Sequence, residues 1–202
     1  MASDSVSYTN TNTMTSAASR LPDELVGEIL SPILTIREEE FSRAGSTAPS
    51  GRRSASTLSV LLVSKQFLRV GTQLLYECIV LRNKFQAASL YHVLRGGNGP
   101  HVGRFVRRMR LEGPAGDVVG KIFGRLPRIR ELYLRIPTAS TEKVIGLVKG
   151  LPKLNPSRLI FEFALKSPWK NTFVMVGALC NALRTWTGLV RYVPFDLLFR
   201  HY

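Results

Sequence analysis

Arginines that could bind anions alternate with apolar residues in two similar stretches of the chain. FVRRMRLEG at 105–113 aligns with RIRELYLRI at 128–136, at an offset of 23 residues. This alternation is typical of β-strands, in which successive side chains point to opposite faces. Met109 and Leu111 are then expected to point into a core, with the intervening arginines on the other face. A guanidinium group binds phosphate or carboxylate with two parallel hydrogen bonds, so this face predicts an anion-binding site.

The outward residues of these two strands are the candidates for binding a target. They are Arg108, Arg110, Tyr133 and Arg135. If the two strands are parallel neighbours, the three arginines form one cluster that prefers phosphorylated or acidic peptides. The alternative is a solvated face on which the arginines pair with Glu112 and Glu131, which would contribute little.

The two strands belong to a longer alternation of strand and helix patterns. Their offset lies within the range of about 20–29 residues that is typical of leucine-rich repeats. The same alternation continues in helical patterns at 117–126, 140–151 and 172–184 and in strand-like patterns at 157–163 and 188–193. No asparagine recurs where tight leucine-rich repeats have one. The pattern therefore predicts an irregular α/β solenoid, whose strands would line a concave binding face.

A different pattern precedes the repeats. Residues 1–19 are polar and low in complexity, which predicts a disordered tail. LPDELVGEIL at 21–30 and the apolar pattern at 57–78 are typical of amphipathic helices. Between them, 37–57 is rich in Gly, Ser, Pro and Arg and predicts a flexible insertion. The chain divides into this tail, a helical domain at 20–78 and a repeat region at 79–202, an α+β fold overall.

The helical domain resembles an F-box, the motif that docks a substrate receptor onto a ubiquitin-ligase scaffold. The Leu-Pro opening and the following helix are matched by Leu21, Pro22, Glu24, Leu25, Ile29 and Leu30. The Val-Cys-basic-any-Trp signature is matched by Val63, Ser64, Lys65, Gln66 and Phe67, and the closing helix by Leu74, Leu75 and Tyr76. Serine replaces the common cysteine, phenylalanine replaces the common tryptophan, and roughly twenty residues are inserted between the halves, which a loop tolerates.

The resemblance implies a function without an active site of its own. A three-helix F-box would bind a Skp-type adaptor and through it a cullin scaffold, while the repeats present a target protein, and the ligase complex supplies the catalysis. The adaptor-binding residues implied are Leu21, Pro22, Leu25, Ile29, Leu30, Leu62, Val63, Phe67, Leu74 and Tyr76. A plain helical core is the alternative, and about half of these residues are expected to face the internal core in either case.

The charge distribution favours a second class of function. The chain carries a net charge of +14, with −2 in residues 1–60 and +16 in residues 61–202. A region this basic is typical of nucleic-acid-binding proteins, which gain affinity by releasing counterions. The aromatic residues, however, fall mainly at inward positions and predict no stacking platform. A third hypothesis is a truncated receptor without a ligase role, because LLFRHY at 197–202 lacks a polar capping repeat.

Other chemistries find little support in the residues. Cys78 and Cys180 lie in apolar segments, which indicates buried thiols in a reducing compartment. The three histidines lack the paired spacing of zinc ligands, and neither paired carboxylates nor a nucleophile–histidine set has a recognisable context. No apolar run reaches the ~18 residues of a membrane span. We therefore expect no cofactor, no catalysis, no membrane partner, and a cytoplasmic or nuclear protein.

Overall fold

The structure is a computed structural model. It describes residues 21–44, 55–113, 115–136, 144–163 and 170–196. The tail predicted at 1–19 and the centre of the predicted insertion, 45–54, lie outside the described residues.

Helices and strands alternate after an N-terminal group of helices. The helices are α1 (Asp23–Leu34), α2 (Glu38–Ser42), α3 (Ala55–Ser59), α4 (Lys65–Glu77), α5 (Lys84–Arg95), α6 (Gly99–Gly103), α7 (Val119–Phe123), α8 (Ile145–Gly150) and α9 (Lys170–Thr185). The strands are β1 (Cys78–Leu81), β2 (Arg108–Leu111), β3 (Glu131–Ile136), β4 (Arg158–Phe163) and β5 (Arg191–Asp196). Two 3-10 turns, Val60–Leu62 and Leu151–Lys153, follow α3 and α8. The mixture of helix and strand agrees with the α+β class.

The five strands form one parallel sheet in chain order, from β1 at one edge to β5 at the other. Met109 lies opposite Leu132 and Leu111 lies opposite Leu134, so the 23-residue alignment of the two strands is confirmed. The register continues into β4, where Phe161 lies opposite Leu134. Parallel neighbours need a crossover between them, and the helices that follow each strand provide it.

The main core lies on one face of this sheet. Met109, Leu111, Leu132 and Leu134 pack there against buried residues of the crossover helices, such as Phe123. Burying each large apolar side chain contributes roughly 1.5–3 kcal/mol. Strand alternation therefore sends the residues between them to the opposite face.

Helices α7 and α8 approach so closely that only glycine fits between them. A Cβ atom on Gly120 would lie 2.5 Å from the carbonyl oxygen of Gly146, and one on Gly146 would lie 2.5 Å from that of Gly116. Both neighbouring atoms belong to the backbone and cannot rotate away. The spacing between adjacent crossovers therefore depends on the absence of side chains at these positions.

The N-terminal helices form a smaller core of their own. Val26, Leu30 and Leu34 on α1 are fully buried there, against Leu61. The single helical pattern of 57–78 is interrupted, because Ser64 adopts an extended backbone and its side chain accepts a hydrogen bond from Phe67 N at 3.1 Å. This N-cap starts α4 as a separate helix.

Within the ranges that the structure describes, no helix combines the length and the apolar character of a membrane span. The same ranges contain no group of three or more histidine, cysteine or acidic residues placed to hold a metal ion.

Candidate functional site

Large apolar side chains are exposed on the N-terminal helices. Leu25, Ile29 and Ile33 recur every four residues along α1 and are each about half exposed. Beyond α3, Leu62 is 83% exposed and Val63 is 60% exposed. We call these five residues the apolar patch. Contiguous exposed apolar surface is a mark of protein-binding sites, whereas single exposed apolar side chains are common on any protein surface.

The residues that the F-box resemblance assigns to the adaptor do not share one environment. Pro22 and four others are exposed, namely Leu25, Ile29, Leu62 and Val63. Three further residues are half-buried against the smaller core of the N-terminal helices, namely Leu21, Phe67 and Leu74. Tyr76 is half-buried against the core of the sheet. Leu30 is fully buried between the helices, so its assignment to a partner surface is wrong, because its side chain already fills the internal core.

Polar contacts hold the start of α1 against α4. Gln66 Nε2 donates to the carbonyl oxygen of Leu21 at 2.6 Å and to Asp23 Oδ1 at 2.8 Å. Arg69 Nη2 donates to the same carboxylate at 2.7 Å. The hydrogen bonds from Arg69 and then from Gln66 lower the pKa of Asp23. The helix that carries most of the apolar patch is thus oriented by two residues of α4.

The arginines predicted to point away from the core do so. Arg108 and Arg110 of β2 lie on the sheet face opposite the main core, and Tyr133 of β3 lies beside Arg110 in the register. We call this surface the arginine face. Sequence reasoning missed Arg158 of β4, which lies on the same face next to Glu131. The alternation of SRLIFEF, with Leu159 and Phe161 in the core, was the signal that could have identified it.

The arginine face is not the open cation cluster that the sequence predicts. Arg110 is fully buried, and its Nε lies 2.6 Å from Glu112 Oε1, while its guanidinium lies 3.7 Å from the centre of the Tyr133 ring. Arg135 Nε lies 3.6 Å from Glu162 Oε1. Arg110 and Arg135 therefore each have an acidic neighbour and are not free to share one phosphate. The alternative of arginines paired with acids describes the face better.

Tyr133 is also not free to bind a target. It is fully buried, and its hydroxyl donates to the carboxylate of Glu162. Burial and then this hydrogen bond raise the pKa of the tyrosine well above its usual value. Its assignment as an exposed contact is wrong because residues from earlier in the chain cover it.

The cover consists of residues 36–42, which we call the covering segment. Phe41 is fully buried in a small apolar cluster with Cys78, Tyr133 and Ile160. Its ring meets that of Tyr133 edge to face, with centroids 6.4 Å apart, and the guanidinium of Arg108 lies 5.5 Å from its centre. The flexible insertion predicted at 37–57 is therefore wrong for these residues, since an aromatic anchor and the arginines hold them.

Hydrogen bonds complete the attachment of the covering segment. Glu38 pairs with Arg158 and lies 3.4 Å from Arg108 Nη1. Arg158 Nη2 donates to Ser42 Oγ at 3.0 Å, and Arg108 Nη2 donates to the carbonyl oxygen of Ile36 at 2.7 Å. Arg110 Nη1 donates to the carbonyl oxygen of Phe41.

The carboxylates around Arg158 titrate differently. Burial would raise the pKa of Glu38, but the hydrogen bonds from Arg158 and Ser42 outweigh it and lower that pKa. Burial and the nearby charge of Glu38 raise the pKa of Glu131. The guanidinium of Arg158 lowers the pKa of both carboxylates, and its effect outweighs that of burial only at Glu38.

The described part of the chain presents exposed apolar side chains on its N-terminal helices and an arginine face that lies under the covering segment. Compared with protein-family models, with curated proteins and with solved structures, the chain gives no match. Function is therefore inferred from the apolar patch, the arginine face and the segment that covers it.

Proposed function

We propose that the chain is an F-box substrate receptor of an SCF-type ubiquitin ligase. Its N-terminal helices would bind a Skp-type adaptor and through it a cullin scaffold. The strand–helix units, as an incomplete leucine-rich-repeat-like solenoid, would present a target protein, and the ligase complex would carry out the ubiquitin transfer. The observation that supports this best is the apolar patch, which lies on the residues that resemble the F-box.

The physical argument concerns surface that the chain leaves in contact with water. Leu25 and Ile29 lie beside the buried residues of α1, so this helix is apolar on more than the face it packs. Burial of such side chains in a partner interface contributes roughly 25 cal/mol for each Å². A partner with a complementary apolar groove would therefore gain affinity mainly from the patch, with Leu62 as its most exposed member.

The first prediction tests adaptor binding. Replacing Leu25 and Ile29 together with Asp should lower the affinity for a purified Skp-type adaptor by more than about tenfold, because charges would enter an apolar interface. Both side chains are about half exposed, so the variant should remain folded, with a modestly lower melting temperature because the two Asp lie four residues apart on one helix. Binding can be measured by calorimetry or by capture on immobilised adaptor.

The matched control is Phe85→Asp, since Phe85 is 73% exposed but lies on α5, outside the patch. It should bind the adaptor like the wild type. Equal capture of all three proteins, or absence of capture by the folded wild type, would contradict the proposal.

A nucleic-acid-binding function is the second candidate, and one surface favours it. An open groove of about 290 Å³ lies between α4 and the segments that lead into β2 and β3. Arg104, Arg107 and Arg128 line it together with Phe105 and one acidic residue, Glu77. Unlike the arginine face, this groove is not filled by the covering segment.

The corresponding prediction is a binding constant for single-stranded RNA or DNA that falls steeply with salt. Three phosphate contacts would give a slope of about −2 in a plot of log K against log salt concentration. Replacing Arg104 and Arg128 with Ala should reduce the slope by more than half. A wild-type protein that does not bind at low salt would exclude this candidate.

A further inference from the structure

We propose that the arginine face is a peptide-binding site that the covering segment occupies in cis. Its ligand in trans would be a peptide with an anionic side chain followed three residues later by an aromatic ring, the spacing of Glu38 and Phe41. The inference rests on the proposed function in one respect, because it identifies the peptide with part of the target. Binding of the target would require that the covering segment leave the face.

The contacts of the covering segment are those of a bound peptide. One aromatic ring, that of Phe41, fills a pocket in the sheet face. One carboxylate, that of Glu38, lies between two guanidiniums, and two main-chain carbonyl oxygens accept hydrogen bonds from arginines. An aromatic anchor in a pocket, surrounded by polar contacts, is the common anatomy of a peptide interface.

Three features of the attachment favour exchange. Helix α2 contains five residues, which is too short to be stable without the surface below it. The Glu38 side chain is 45% exposed, and ion pairs in contact with solvent contribute little. Phe41 is the one side chain of α2 that is fully buried, so most of the affinity depends on a single ring.

Two hydrogen-bond donors of the arginine face have no acceptor in the described part of the chain while the covering segment is bound. Among the described residues, the Nε atoms of Arg108 and Arg158 are buried and have no hydrogen-bond partner. A buried donor without an acceptor costs about 1–3 kcal/mol. A ligand with more acceptor oxygens near these guanidiniums could therefore bind more strongly than Glu38 does. A phosphoryl group offers three such oxygens and nearly two charges.

The alternative is a permanent strut that joins the N-terminal helices to the sheet. A strut and an exchangeable ligand differ in one measurable respect. An exchangeable segment competes with a peptide in trans at an effective concentration in the millimolar range, so weakening the segment must strengthen binding in trans. A permanent strut does not leave the face of the wild type, so the wild type would bind no peptide in trans and hydrogen exchange at 36–42 would not respond to added peptide.

The test uses the full chain and a fluorescein-labelled peptide with the sequence of residues 36–44, IREEEFSRA. Fluorescence anisotropy should show binding at least about tenfold tighter for a Glu38→Gln/Phe41→Ala variant than for the wild type, because the weakened segment competes less. Glu39 is an exposed carboxylate of the same helix, so Glu39→Gln should bind like the wild type. A peptide with Ala in place of its Phe should not bind to any of them.

Equal binding by the wild type and the released variant, or no binding by a folded released variant, would overturn the proposal. If the released variant loses its cooperative unfolding transition, hydrogen exchange of the wild type decides. A peptide with phosphoserine in place of the residue equivalent to Glu38 should increase exchange at 36–42, and unchanged exchange at saturating peptide would show a strut.

The outcome is separable from that of the adaptor experiment. The variants of the covering segment leave the apolar patch intact, so capture by the adaptor is measured on the same proteins. If the adaptor captures the protein but the peptide does not exchange with the covering segment, the ligase proposal is supported and the peptide site is excluded. If the peptide exchanges but the adaptor does not capture the protein, the peptide site is supported and the ligase proposal is contradicted.

Discussion

Replacing Arg110 with Met is expected to lower the free energy of unfolding by about 3 kcal/mol, the lower end of the range for breaking a buried ion pair. The side chain of Arg110 is fully buried, and that of its partner Glu112 is 4% exposed. Methionine fills a similar volume but leaves the carboxylate with less compensation. Arg82 Nε, at 2.6 Å from Glu112 Oε2, retains part of the neutralisation, which is why the larger values of the range are not expected.

Urea denaturation measures the change, and two further variants identify its cause. Arg104→Met alters an exposed arginine and should change stability by less than about 0.5 kcal/mol. Combining Arg110→Met with Glu112→Gln removes the incompletely neutralised carboxylate, so the double variant should be more stable than the two single losses predict. An Arg110→Met protein within about 1 kcal/mol of the wild type would refute a structural role for the pair.

The sheet register is the part of the fold that the sequence predicts well. A strand buried on one face must place alternate residues in the core, and a slip of one residue would expose all of them. Met109 and Leu111 therefore determined the match with β3, and the outward direction of Arg108 and Arg110 followed. The burial and the ion pairing of those arginines could not be predicted in this way, because they depend on the segment that covers the face.

The covering segment could not be found from local pattern. EEEFSRA at 38–44 has the composition of a loop, and its one large apolar residue shows no periodicity. Glu38 meets arginines that lie 70 and 120 residues later in the chain. The available signal was complementary charge, since three consecutive glutamates precede a strongly basic region.

Helices α1 and α4 show a second limit to what the sequence can predict. Ile29 and Leu30 are adjacent, both apolar, and equally consistent with the helical period. One is half exposed and the other is fully buried, because α1 is apolar over a wider surface than α4 and Leu61 can cover. Periodicity identifies an apolar helix, whereas the choice between its neighbouring rows depends on the position of the partner helix.

Replacing Gly146 with Ala should lower the free energy of unfolding by about 2–3 kcal/mol, as overpacking against rigid neighbours does. Its Cβ would lie 2.5 Å from Gly116 O and 2.7 Å from Asp117 Cα, so the backbone itself must move. The better helix propensity of Ala, up to about 1 kcal/mol, offsets only part of this. On α9, the Cβ of a Gly177→Ala control would meet no atom within 4 Å, so propensity alone should stabilise that variant. Urea denaturation should therefore show opposite signs for the two substitutions, and two changes of the same sign would mean that α8 does not pack through Gly146 against residues 116–117.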